Sequence, residues 1–268
     1  PVIGGVQAQA VAADAGLAGA GVSIAFDPAS PQVVEAMQRN RLEFVTSFSN
    51  DQRLVVANSL AQSMQQGVGT AEQARRIRDV IGLTSYQQEM VNRYQIALES
   101  NNRRALEYSL RDRRYDAGFE NAIEENDFLP PSRINLMVGR YRDRLLQLRG
   151  ETIARTETVR VAEESRALAL EQVIDGSDIS RSLVVKQWIS NAAPNRRRET
   201  HWEMNEQARL FDDPFDSPSG VELMQPGDST APASEIVNCG CTVKHHIFQT
   251  EEEVQEFLLA NGQGKYEG

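Results

Sequence analysis

A chain of 268 residues, 40% of them hydrophobic, can bury a substantial core as one large domain or two modest ones. Its two cysteines are too few for a disulfide framework, and a net charge of −10 argues against a surface that grips nucleic acid throughout. The imbalance is local, since residues 1–198 carry 25 basic and 24 acidic side chains while residues 199–268 carry 3 and 14.

Residues 1–30 read as an extended, Gly/Ala-rich arm that ends at Asp27-Pro28 and Pro31. The arm has no basic segment followed by a continuous apolar one. Neither a secretory signal nor a membrane span is therefore expected, and synthesis is expected in a cytosol. A helical domain follows over 31–130. Val33, Val34, Met37, Leu42, Val45 and Phe48 recur at helical spacing from Gln32 to about Phe48. Asn50-Asp51 restarts a second helix through Leu54, Val55, Leu60 and Met64, which Gly67-Val68-Gly69 stops. Thr70 with Gln73 predicts a capping box for a helix over 71–81, closed by Gly82. Ser85 with Gln88 predicts the same device for a helix from Tyr86 to about Leu110. A weaker helix then runs to Phe128-Leu129-Pro130-Pro131, where neither proline can donate a backbone hydrogen bond.

Residues 131–175 read as one long helix or a helix pair, capped by Ser132 and with Gly150 as the candidate break. Ile134, Met137, Val138, Tyr141, Leu145, Leu148, Ile153, Val159 and Leu168 mark its apolar positions, and eight arginines lie between Arg133 and Arg166. Those arginines either meet an acidic partner or form a solvated face.

After Asp175-Gly176-Ser177-Asp178 the period shortens, which predicts a small α+β domain over 176–268. Residues 182–189 are the first strand candidate, and 201–210 a short helix. A loop with Pro214, Pro218, Pro226 and Pro232 follows, then a second strand candidate over 236–248 and a closing helix at 251–259. The whole is α+β and mostly helical, with a short C-terminal β-sheet.

Both cysteines lie in the second strand candidate. On an unbroken strand Cys239, Cys241, Val243 and His245 would share one face. With His201 folded over them, His201, Cys239, Cys241 and His245 have the donor types that hold zinc. Cys-x-Cys differs from the Cys-x₂₋₄-Cys of structural sites, however, and buried reduced thiols are the plainer reading. Arg155 and Glu157 sit two apart on a helix and point in different directions. One could reach His201 and the other the main chain of a strand. The enzymatic alternative makes Glu157 a general acid or base with His201 as its partner. No nucleophile elbow, phosphate-cradling loop or zinc-hydrolase motif accompanies them.

The order Ile153-Ala154-Arg155-Thr156-Glu157, Trp188, Arg198-x-x-His201, a loop with Pro226 and Pro232, then Asn238-Cys239-Gly240-Cys241 resembles the C-terminal domain of the phage Mu F-like head morphogenesis proteins. Gly69-Thr70-Ala71-Glu72 running to Ile81-Gly82-Leu83 is similar to that family's N-terminal region, so the likeness spans roughly residues 60–248. Gly240 stands where the family often has arginine, and Asn205-Glu206 where it often has Asp-Gly. The resemblance implies a minor head protein of a tailed bacteriophage, in a few copies on the portal protein inside the head. It also implies contacts with scaffold, major capsid protein and packaged DNA, and a part in head assembly and DNA packaging or ejection. It implies no catalysis and no cofactor beyond the candidate zinc. Arg155, Glu157, Trp188, Arg198, His201, Asn238, Cys239 and Cys241 are then expected to converge as a structural polar core. Domains of this kind also occur fused to toxin modules, which keeps an enzyme as the alternative.

Overall fold

A computed structural model describes residues 50–190 and 198–262. The expected arm and the helix expected at Gln32–Phe48 lie outside these residues. The described chain is α+β and mostly helical.

Four helices lead to a fifth that is much longer. They are α1 (Asn50–Gln65), α2 (Thr70–Ile81), α3 (Ser85–Glu99) and α4 (Asp116–Glu124), followed by α5 (Pro131–Asp175). Their boundaries are set by local chemistry, which corrects two of the expected caps. The first box does not form, because Gly69 occupies the N-cap of α2 and the Gln73 amide donates instead to the Val68 carbonyl at 2.7 Å. The second box forms one residue earlier, with Thr84 and Gln87 bonding each other's main chain. Helix α3 also stops well short of Leu110. Asn101 adopts a left-handed φ of 49°, and two 3₁₀ turns, Arg103–Glu107 and Arg113–Tyr115, carry the chain on.

Helix α5 runs unbroken for 45 residues, about 67 Å at 1.5 Å per residue. Pro131 stands in its first turn, where a missing N–H costs nothing, and Pro130 rather than Ser132 is the N-cap. Gly150 is not a break. A Cβ there would lie 3.0 Å from the Ala74 carbonyl and 3.3 Å from the Ala74 Cβ, so the residue lets α2 cross α5 closely. Three cores line up along this one helix. Ile134, Met137, Tyr141 and Leu145 pack with Tyr94, Leu98 and Phe119. Ile153 and Ala154 pack with Val56, Leu60, Ala74, Ile77 and Ile81. Val161, Leu170 and Ile174 pack with Val184 and Phe211 of the C-terminal part.

That C-terminal part holds a three-stranded antiparallel sheet of order β2-β1-β5, formed by β1 (Val184–Ile189), β2 (Ala208–Leu210) and β5 (Thr242–Ile247). Strand β1 is central and buried on both sides, as its run of Val, Trp and Ile requires. Val184, Lys186 and Trp188 face α5 and the long loop. Val185 faces the closing helix α8 (Glu251–Asn261) with Ala208 and Val254. Between the strands come α6 (Glu199–Glu203), a two-residue hairpin of β3 (Phe215–Asp216) with β4 (Glu222–Leu223), and the turn α7 (Ala233–Ile236). The helix expected over 201–210 is thus a short helix followed by a strand. The strand expected over 236–248 begins only at Thr242, because α7 and a left-handed Asn238 (φ 58°) precede it. No helix among the described residues is long and apolar enough to cross a membrane.

The long loop is seated on α5 at Gly227, whose φ is 78°. A Cβ there would fall 2.9 Å from the Arg160 Cα. Gly220 has a similar φ of 82° but open space around it. Gly227→Ala is therefore expected to lower stability by about 2–4 kcal/mol, the sum of a left-handed backbone and an overpacked contact. Gly220→Ala should cost only the backbone part, about 1–2 kcal/mol. Urea unfolding of the two variants checks this, and equal losses would mean the loop does not rest on the helix.

Candidate functional site

Two polar junctions hold the C-terminal part together, and both involve α5. In the first, Glu163 and Arg166 lie one helical turn apart and reach the start of β5 together. Glu163 accepts from the Thr242 hydroxyl at 2.7 Å and from the Val243 N–H at 3.1 Å. Arg166 donates to the Val243 carbonyl at 3.2 Å, to the Thr242 hydroxyl at 2.6 Å and to Glu163 at 3.0 Å. Both main-chain groups of Val243 are thereby satisfied by one ion pair. Burial holds the Glu163 carboxyl above its ordinary range, against the opposing pull of Arg166, Thr242 and Val243.

This contact between helix and strand main chain was expected of Arg155 or Glu157, and the structure assigns it elsewhere. Arg155 is half-buried and makes no hydrogen bond or ion pair among the described residues. Glu157 is buried and pairs with Arg160 at 3.2 Å. Thr156, between them, is the residue that reaches across. Its hydroxyl donates to the Thr152 carbonyl at 2.8 Å and accepts the Asn238 N–H at 2.9 Å. Asn238 is thereby held in its left-handed turn, which aims the following cysteines.

The second junction is the His/Cys cluster. Helix α6 presents His201, with Nε2 2.8 Å from Glu235 of α7. Its Nδ1 stands 3.5 Å from the Cys239 sulfur and 3.6 Å from the Cys241 sulfur. All three residues are buried, at 2% to 4% exposure. Trp188 packs edge-on to the imidazole, ring centres 5.2 Å apart, and Met204 closes the same cluster. Arg198, the N-cap of α6, donates to the Val237 carbonyl. The Cys241 thiol donates to the Ser190 hydroxyl at 3.8 Å. The neighbouring Cys241, with burial adding to it, raises Cys239 above the ordinary thiol range, and Cys239, with Ser190, Trp188 and Arg198, lowers Cys241.

Of the four expected ligands, the structure gathers His201, Cys239 and Cys241 and leaves His245 out. His245 pairs with Lys186 in the sheet and packs on Phe211. Sharing a strand face is not sharing a point. Four residues of extended chain separate His245 from Cys241 by about 13 Å, several times a metal–ligand bond. His245 instead lines a cavity of about 260 Å³ with Glu163, Lys186, Phe211, Met224 and Val243. Lys186 donates there to the Met224 carbonyl at 3.0 Å, and burial lowers its pKa to about 8.

Glu163, Arg166 and Glu235 escaped the sequence reading. The spacing of Glu163 and Arg166 marks an i,i+3 pair, but many such pairs are solvated. Glu235 looks like one more acid in an acidic loop. Comparison of the chain with protein-family models, with curated proteins and with solved structures finds no match. The functional reading therefore rests on the residues themselves.

Burial raises the pKa of Glu157 to about 7, against the charge and hydrogen bond of Arg160. One of its oxygens is buried without a hydrogen-bond partner. A carboxyl whose folded pKa is raised binds its proton more tightly in the folded chain. Its contribution is complete below the unfolded pKa, ordinarily 4.5, and is lost as pH rises through about 7. Wild-type stability should therefore fall relative to Glu157→Gln across that window. Thermal melts of both proteins at a series of pH values test this, and parallel curves would show that the carboxylate is already ionised at the lower pH.

Proposed function

We propose that this chain is a minor head protein of a tailed bacteriophage. In this reading it is bound to the portal inside the capsid and acts in head morphogenesis and in DNA packaging or ejection. It passes through the host cytoplasm during assembly and ends in the virion head. The observation that carries the reading is the convergence of the resemblance's residues. Trp188, Arg198, His201, Asn238, Cys239 and Cys241 meet at one junction, and Thr156 of the Arg155-Thr156-Glu157 segment bonds to Asn238. A chance likeness would scatter these residues over unrelated surfaces.

The junction is closed and internally bonded, which suits a mechanical brace better than a cleft for turnover. An acid–base pair of Glu157 with His201 receives no support, since each is paired with another residue. The helical half offers what an assembly partner would use. Tyr86, Ile96, Phe128, Leu136 and Leu148 are exposed along it, apolar groups that a partner would cover. The acidic C-terminal part would slide past packaged DNA rather than hold it.

Co-expression of the full chain with the portal protein of the same genome tests the proposal. The expected outcome is co-elution with the portal oligomer on size exclusion, with added density on the ring in electron micrographs. Separate elution, together with a full yield of DNA-filled heads when the gene is deleted, would overturn it.

A further inference from the structure

We propose that His201, Cys239 and Cys241 bind one Zn²⁺ ion, with a water molecule completing the tetrahedron, and that the ion clamps α6 to the turn between α7 and β5. The distances fit such an ion. Zinc holds thiolate sulfur at about 2.3 Å and imidazole nitrogen at about 2.0–2.1 Å, so a tetrahedral site has nitrogen–sulfur edges of about 3.5–3.6 Å. The two edges here are 3.5 and 3.6 Å. All three donor atoms lie within 4.8 Å of one another, which accommodates the sulfur–sulfur edge of about 3.8 Å that the same geometry requires.

The direction of the imidazole fits as well. A neutral ring has one N–H and one lone pair. Glu235, itself buried, sits 2.8 Å from Nε2 and takes that N–H, which turns the Nδ1 lone pair toward both sulfurs. A carboxylate behind a histidine is the usual support of a zinc ligand, where it fixes the tautomer and raises the basicity of the bound nitrogen. One lone pair can accept one S–H, and the Cys241 thiol can turn to the Ser190 hydroxyl instead, but a cation at the point where both sulfurs and the nitrogen converge would engage all three donors together. Charge agrees with this. Two thiolates and the Glu235 carboxylate are balanced by the ion and the neighbouring Arg198 guanidinium.

The third observation is Trp188. Its indole N–H is fully buried, and its acceptor is the Cys241 sulfur, with no oxygen or nitrogen partner among the described residues. A metal-bound thiolate is a far better acceptor than a thiol, and would strengthen that contact. Two thiolates, one imidazole and a water match the donor set of some catalytic zinc sites. The closure by Trp188 and Met204 assigns this one to structure instead. The inference does not rest on the portal reading, and either can fail without the other.

The test uses the full chain, purified reduced and without chelator, with metal measured by plasma mass spectrometry. One zinc per chain is expected, and its removal by a chelator should lower the melting temperature. Reconstitution with Co²⁺ should give the visible absorption of a tetrahedral ion and a thiolate-to-cobalt charge-transfer band. Glu235→Gln should keep the fold by circular dichroism while weakening zinc binding about 10–100-fold. Cys239→Ser and Cys241→Ser should lose the charge-transfer intensity. His245→Ala should keep full zinc stoichiometry. Because a cysteine variant that failed to fold would also lose metal, the wild-type chain decides. If the reduced, folded wild type takes up no Zn²⁺ at saturating metal, or if its two cysteines are found joined as a disulfide, the proposal is wrong. Loss of zinc in a folded His245→Ala variant would also overturn it.

Discussion

Both polar main-chain groups of Val243 are bonded to one turn of helix α5, through Glu163 and Arg166. The placement of the sheet follows from this contact. Val243 stands opposite Trp188 in the central strand, so fixing it to the helix fixes the register of β5 and the position of the residues just before it. An ion pair taken out of water costs several kcal/mol per ion unless other hydrogen bonds share the load. Here Thr242 and the strand backbone share it, and the Glu163 carboxylate has three donors. The pair is better understood as an alignment device than as a large source of stability.

The long helix is the other half of the device. Its first third belongs to a core with α3 and α4, its middle to one with α1 and α2, and its last third to one with the sheet. A rod of this length can carry three cores only if each neighbour meets it at a defined distance. Glycine sets that distance twice. Gly150 admits the backbone of α2, and Gly227 admits the long loop against Arg160. The loop is then tied internally by Asp228, whose carboxylate takes the N–H groups of Met224 and Thr230. A loop of this length is ordered because its turns are satisfied from within and its base rests on the helix.

The two junctions differ in what they leave unsatisfied. Around Glu163 both carboxylate oxygens and both main-chain groups of Val243 are paired, and only the Arg166 Nε is left buried without a partner. Around His201 two sulfurs converge on one imidazole nitrogen, and a buried indole N–H has only a thiol as its acceptor. The proposed cation would complete that cluster. That contrast separates a brace made wholly of protein from one that the chain's own atoms leave incomplete. Both junctions sit at the same end of the sheet.

Composition and periodicity determined a good deal. The diproline, the spacing of Ile134, Met137, Tyr141 and Leu145, and the run around Trp188 specify helix, boundary and strand by local preference alone. The α+β, mostly helical class follows from them. The grouping of His201 with the two cysteines was one reading among others, since buried thiols also sit readily among apolar side chains. What local preference could not decide was partnership. Arg155 and Arg166 are chemically the same, as are Glu157, Glu163 and Glu235. Which of them meets a strand depends on the rotation of α5 about its axis, and that is settled by its three cores together. His245 shares a pattern with the cysteines but not a location, since parity along a strand repeats every two residues while distance keeps growing. Identity and order are properties of the sequence, whereas convergence belongs to the packed chain.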